Sequence, residues 1–317
     1  MKTFVKTLII TVLIINHAQA QNDWSTVDFS KEYKGTFKIG GGSVKALKNN
    51  KTFVSGYTIG QAITMKGSNT SSTSGVHSEV SLGGIETEAF QQMVNELYNS
   101  LLQELTDAGL QLTDGKDLVN SEVAQKKKAK NDKDDIIGST GDDPTIAGKV
   151  SANPNNWQIY LVPFAKRDIV FMPSNVIAYQ TRDYIKAGNF YQKLSTKEEA
   201  NLIIMNFNLT FASFEGSKGY KDIKLATKSD LTVSVKITLV TPNGAFNKVY
   251  YSKLPIWAGS DWSEGIEKVS ENNGEFWGLS SSADYQITAN SDQYISEVKA
   301  IIENLQKDIV KGIKSNF

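Results

Sequence analysis

Two stretches of strict alternation constrain the fold most. In the first, Ile203, Met205, Phe207, Leu209 and Phe211 alternate with Ile204, Asn206, Asn208 and Thr210. In the second, Leu231, Val233, Val235, Ile237 and Leu239 alternate with Thr232, Ser234, Lys236 and Thr238. Successive side chains of a strand point to opposite faces. This period therefore predicts two strands with one face on a core and the other mostly in water. Pro242-Asn-Gly244 supplies hairpin chemistry and returns the chain into Lys248-Val-Tyr-Tyr251. Thr52–Ile59, rich in β-branched and aromatic residues, reads as another strand. Leu110–Leu112, Trp157–Val162 and Asp168–Met172 are further strand candidates.

The helical signals are as clear. Phe90, Met93, Val94, Leu97, Tyr98, Leu101, Leu102 and Leu105 fall on one face at 3.6 residues per turn, which predicts a helix over 86–108. Glu86 and Glu88 suit its first turn, and Gly109 is placed to end it. Ser291 is the expected N-cap of a closing helix whose stripe is Tyr294, Ile295, Val298, Ile301, Ile302, Leu305, Ile309 and Ile313. Residues 117–130 and 184–200 are weaker helices. Lys126-Lys127-Lys128 reads as a solvated face of the former. Single-striped helices beside half-buried strands define an α+β fold, a mixed or antiparallel sheet covered by two or three amphipathic helices.

Met1–Ala20 has the form of a cleavable export signal. Lys2 and Lys6 precede the apolar run Thr7–Asn16, and Ala18-Gln19-Ala20 is a cleavage site, so the mature chain is expected to begin near Gln21. The apolar run is too short to span a bilayer, which needs roughly twenty residues. The expected organisation is a strand–helix half over 21–130, an Asp- and Gly-rich linker over 131–150, and a strand-rich half over 151–317. The two halves could equally form one domain. Gly67–Gly75 reads as a low-complexity polar loop, and Trp257–Leu279 as an irregular aromatic segment.

Composition removes several chemistries. The chain has no Cys, which excludes disulfides, thiol catalysis and a lipid-bearing cysteine. Basic and acidic residues balance at 34 each, without the basic surplus of a nucleic-acid binder. His77 is the only histidine beyond the signal. One histidine in a polar loop is a poor triad base and cannot make a zinc site. Gly40-Gly41-Gly42 lacks the phosphate-loop pattern. Asp132, Asp134, Asp135, Asp142 and Asp143 lack EF-hand spacing. No catalytic residue, metal or cofactor is expected. The candidate ligand-binding residues are Trp257, Asp261, Trp262, Phe276 and Trp277, with Glu264, Asn272 and Asn273 nearby. Aromatic faces stack on sugar rings or partner side chains while carboxylates and amides orient polar groups. The same aromatics would equally serve to cover the end of a sheet.

Three segments carry a family likeness. Phe53–Ile59, then Phe90–Leu105 with Asp107-Ala-Gly-Leu-Gln-Leu112, resemble a first strand, helix and second strand. Glu198–Phe207 resembles a strand after an acidic entry, and Thr232–Lys248 a strand ending in a hairpin. In this order the chain resembles the α/β domain of the curli secretion channel family and of the TolB N-terminal domain. The likeness covers about half the mature chain. The channel members are lipoproteins, and this chain has no Cys to carry a lipid. The resemblance implies a non-enzymatic envelope protein acting in binding or assembly among envelope or secretion proteins. It would be periplasmic, outer-membrane-associated or secreted. Two alternatives stay open: a carbohydrate-binding protein or carboxylate-based glycosidase, and an oligomeric pore, whose strands could enter lipid only as a closed barrel.

Overall fold

The computed structural model describes residues 24, 27–29, 44–48, 50–70, 75–133, 150–151, 168–173, 175–177, 184–218, 223–243, 246–251, 255–272 and 280–315. The expected export signal, the Gly40–Gly42 run, the strand expected at Trp157–Val162 and most of the expected 131–150 linker lie outside them.

The described residues form an α+β structure with two sheets. The two alternating segments are the cores of much longer strands, β7 (Asn201–Lys218) and β8 (Ile223–Val240), paired antiparallel from Leu202↔Val240 to Lys218↔Ile223. The larger sheet also takes β1 (Lys51–Ala62), parallel to β7, and β6 (Asp168–Phe171), antiparallel to β1. Beside β6 runs β5 (Val150–Ser151), and β4 (Gln111–Leu112) joins the start of β1. On its other side β8 meets β9 (Phe246–Tyr251) near one end and β10 (Ile256–Gly259) further along.

The smaller sheet has the order β11 (Ser263–Asn272), β12 (Ser280–Ala289), β3 (Gly75–Gly83), β2 (Thr64–Thr70). Both halves of the chain supply strands to both sheets, so 21–130 and 151–317 interleave. The expected polar loop over Gly67–Gly75 is corrected here: Gly67–Thr70 belongs to β2 and Gly75 opens β3, two strands in register from Thr64↔Ser81 to Thr70↔Gly75. Ser68, paired with His77, lies on a sheet face that needs no apolar side chains. That sheet packs on the outer halves of β7 and β8. Ser78 Oγ lies 2.8 Å from Thr227 Oγ1. A Cβ on Gly67 would come within 2.4 Å of the Phe214 ring, so the approach of the two sheets requires glycine there.

Two helices cover one face of the larger sheet. The first, α1 (Thr87–Asp107), buries Phe90, Met93, Val94, Leu97, Tyr98, Leu101 and Leu105, with Leu102 partly buried. It ends as expected: Gly109 adopts φ +93°, and Gly109 and Leu110 donate to Thr106 O and Leu105 O, satisfying the last carbonyls. Beyond it, the helix expected over 117–130 divides. The short α2 (Gly115–Val119) precedes α3 (Glu122–Lys133), and the Ser121 hydroxyl accepts from Ala124 N at the break. In α3, Lys126 pairs with Glu122 on an exposed face. The next helix, α4 (Tyr184–Glu198), packs with α2 and α3 on the sheet's other face. That packing buries Phe53, Leu202, Ile204 and Val240 in a second core with Phe190, Tyr191 and Leu194.

The closing helix α5 (Ser291–Lys314) lies beside α1. Its cap is Asn290, whose side chain accepts from Gln293 N; the Ser291 hydroxyl instead accepts from Glu86 N, tying the starts of both helices together. Two buried bonds pin α5 to β1: Gln306 Nε2 donates to the Tyr57 hydroxyl at 2.7 Å, and the Tyr294 hydroxyl donates to Gln61 Oε1 at 2.5 Å. Burial pushes both phenols far above their ordinary range, so they stay protonated. Trp24 and Val27–Phe29 pack against α5, with Trp24 and Phe29 buried in the core. Asn304 donates to the Trp24 and Val27 carbonyls, and Phe29 N donates to Asp308.

Leu101 is fully buried between α1 and the sheet. Leu101→Ala is expected to lower the unfolding free energy by about 2–5 kcal/mol in urea denaturation. A loss under about 0.5 kcal/mol, the range of a surface change, would mean α1 does not pack as described.

Candidate interaction surface

The expected binding residues begin on β10, at the edge of the larger sheet. Ile256 pairs with Val233 and enters the core, so its neighbour Trp257, opposite Thr232, must point the other way. Trp257 is 51% exposed. The register then shifts, Gly259 takes φ +87°, and the chain turns through Asp261. This reversal drives Trp262 back into the core at 2% exposure. Its Nε1 donates to Gly259 O at 2.9 Å, and its ring meets Tyr294 edge-on at 5.0 Å between centroids. Trp257 and Trp262 thus lie on opposite sides of the sheet. Only the first offers its face to a ligand. Asp261 is exposed at the turn between them, and Phe276 and Trp277 lie outside the described residues.

From this turn the chain enters β11, so the expectation of an irregular segment over Trp257–Leu279 is corrected: two strands occupy its described part. β11 is the edge of the smaller sheet and is exposed along nearly its whole length. Among the described residues, the large apolar side chains that stand exposed are Trp257, Ile266 at 41% and Val269 at 61%. All three fall on two consecutive strands, each at the edge of a sheet. The sequence signal was present in the apolar residues of Gly265-Ile-Glu-Lys-Val269, but their two-residue alternation is broken by the register shift at Lys268/Ser270.

Polar residues cover the outer face of the smaller sheet. Lys66, Glu79, Asp284 and Ser270 form one row across its four strands; Lys66 and Glu79 pair at 2.7 Å, and Ser270 bonds Asp284 at 2.7 Å. The next row holds Ser68, His77, Ser282 and Asn272. Among the described residues no three acidic or histidine side chains converge on a metal-sized point. Between this sheet and β8 a cleft of about 360 Å³ is lined by Val76, Ser78, Leu225, Ala283, Tyr285 and Glu271. Exposed ion pairs of this kind are worth about 0–1 kcal/mol each, so the sheet is held by burial and backbone pairing.

One carboxylate near the turn is perturbed. Burial raises the Glu297 carboxyl above its ordinary range; a bond from Trp24 Nε1 partly lowers it again, and the charge of Asp261 adds to the rise. No protein-family model matches this chain, and no curated protein or solved structure is significantly similar to it.

Two outcomes follow. Trp262→Ala should cost about 3–5 kcal/mol in denaturant unfolding, and Trp257→Ala less than about 0.5 kcal/mol. Equal losses would show that both indoles are structural. A carboxyl raised in the folded state binds more protons folded than unfolded, so its contribution is full below about pH 4.3 and declines as pH rises through the folded value. Glu297→Gln keeps an acceptor for Trp24 and removes the charge. Its stability should decline less than the parent's between about pH 4 and 7 in thermal melts. An unchanged slope would remove Glu297 as a source.

Proposed function

We propose that this chain is an exported protein of the bacterial envelope, periplasmic, outer-membrane-associated or secreted, that acts without catalysis in binding or assembly. Its contact surface is β10 and β11. The observation that carries this reading is that Trp257, Ile266 and Val269, the exposed large apolar side chains among the described residues, all fall on two consecutive edge strands. Exposed apolar groups on neighbouring elements, rimmed by charge, are a common mark of protein contact. The export signal and the likeness to the curli secretion channel and TolB domains agree with an envelope partner.

A second reading, carbohydrate binding, draws on Trp257 alone. Its neighbour across the strands is Thr232, whose hydroxyl lies 2.6 Å from that of Thr210, so an open indole sits beside hydroxyl groups. The pore reading has less support. The outer row Lys66–Glu79–Asp284–Ser270 would place charge where a barrel wall carries an apolar band.

Photo-crosslinking in intact cells tests the main reading. A photoreactive residue placed at Trp257, Ile266 or Val269 should give discrete protein adducts in the envelope fraction. The same probe at Gln92, on the exposed side of α1, should give none. Adducts at Gln92 alone, or at no position, would overturn it. Loss of glycan retention in Trp257→Ala, without protein adducts, would favour the second reading.

A further inference from the structure

We infer that the free edge of β11 accepts an extended segment of a partner protein as an added strand, and that this segment is basic on the face meeting Glu267 and apolar on the face meeting Ile266. The inference rests on the protein-contact reading above and adds how the contact is made and with what chemistry. β11 ends the strand order of its sheet, so one whole side of its backbone faces away from β12. Among the described residues the only further bonds along 264–272 are local: Gly265 N to Ser263 Oγ, Ser263 Oγ to Gly265 O, Lys268 to Glu271 and Ser270 to Asp284. Its outward N–H and C=O groups are therefore available to a new ladder.

Charge selects the occupant. The strand carries Glu264, Glu267 and Glu271 against one cation, Lys268, and Lys268 is already held by Glu271 at 2.8 Å. Among the described residues Glu264 and Glu267 make no ion pair. A strand laid against this edge brings cross-strand side chains within about 5 Å of each other, where opposite charges attract and like charges repel. Lysine or arginine across from Glu267 is therefore favoured, and an acidic segment is rejected. Ile266 stands opposite Ile287 on the face turned toward β8, so an apolar side chain beside it extends an existing buried row. Register shifts at Ser263/Gly265 and Lys268/Ser270 confine regular pairing to short stretches. Those shifts and the carboxylates blunt the edge against indiscriminate pairing.

The test uses the full mature chain and two short capped peptides, one alternating lysine with valine and one alternating glutamate with valine. The lysine peptide should bind in fluorescence anisotropy and slow amide exchange at alternate positions of 264–272. The glutamate peptide should bind at least about tenfold more weakly. The Glu264→Gln, Glu267→Gln double variant changes exposed groups only, keeps the fold and should weaken the lysine peptide by about tenfold. Ile266→Lys should weaken it similarly. Equal binding of both peptides, binding without protection of β11, or no binding would overturn the inference. So would concentration-dependent dimerisation of the chain that protects β11 and excludes the peptide. Adducts at Trp257 and Ile266 in cells with no strand protection here would leave the contact reading standing and remove strand addition. Peptide binding without cellular adducts would do the reverse.

Discussion

The antiparallel ladder between β7 and β8 is the constraint on which the rest depends. Its inner half presents Met205, Phe207, Leu209, Val233, Val235 and Ile237 to the face that α1 and α5 cover. Its outer half continues past the register shift at Thr210/Ala212 and carries the smaller sheet on Phe214 and Thr227. A residue slip would turn every apolar side chain of the pair to the wrong face. Register is therefore fixed by burial and then transmitted to β1, which runs in parallel on β7, and to β10 and β9, which pair with β8.

The exposure of the proposed contact residues follows from that register. Because Ile256 must pair with Val233, Trp257 is forced outward, and a turn is needed before Trp262 can return to Tyr294. Two indoles five residues apart thus divide the work, one holding the turn and the other standing on the surface. Fully burying an aromatic side chain stabilises by about 1.5–3 kcal/mol relative to exposure. Leaving Trp257, Ile266 and Val269 outside forgoes that stabilisation, which a contact with another protein would recover.

Much of this fold was legible in the sequence, and what was hidden shares a cause. Single-striped helices and the alternation at 203–211 and 231–239 announced α1, α5, β7 and β8 because each element buries one face against a large core. The strands β2, β3, β11 and β12 carry weak sequence signals because their sheet is mostly polar and leaves little alternation in Gly67–Thr70 or Ser280–Ser282. Their pairing is also long-range, β3 lying parallel to β12 across the length of the chain. Proximity in sequence groups the candidate binding residues but cannot reveal that Trp257 and Trp262 face opposite sides. The cap at Asn290 was displaced from Ser291 because that hydroxyl serves Glu86 instead, a tertiary contact no local pattern carries.

Among the described residues, β11 is held as an open edge on a rigid frame. Residue-resolved amide exchange of the mature protein tests this most directly. Amides of β7, β8 and β12 should exchange slowly, while β11 should show protected amides facing β12 alternating with fast ones facing away. Uniform slow exchange along Gly265–Asn272 would mean that something already covers the edge, and uniform fast exchange that the strand is not held at all. Either result would contradict it.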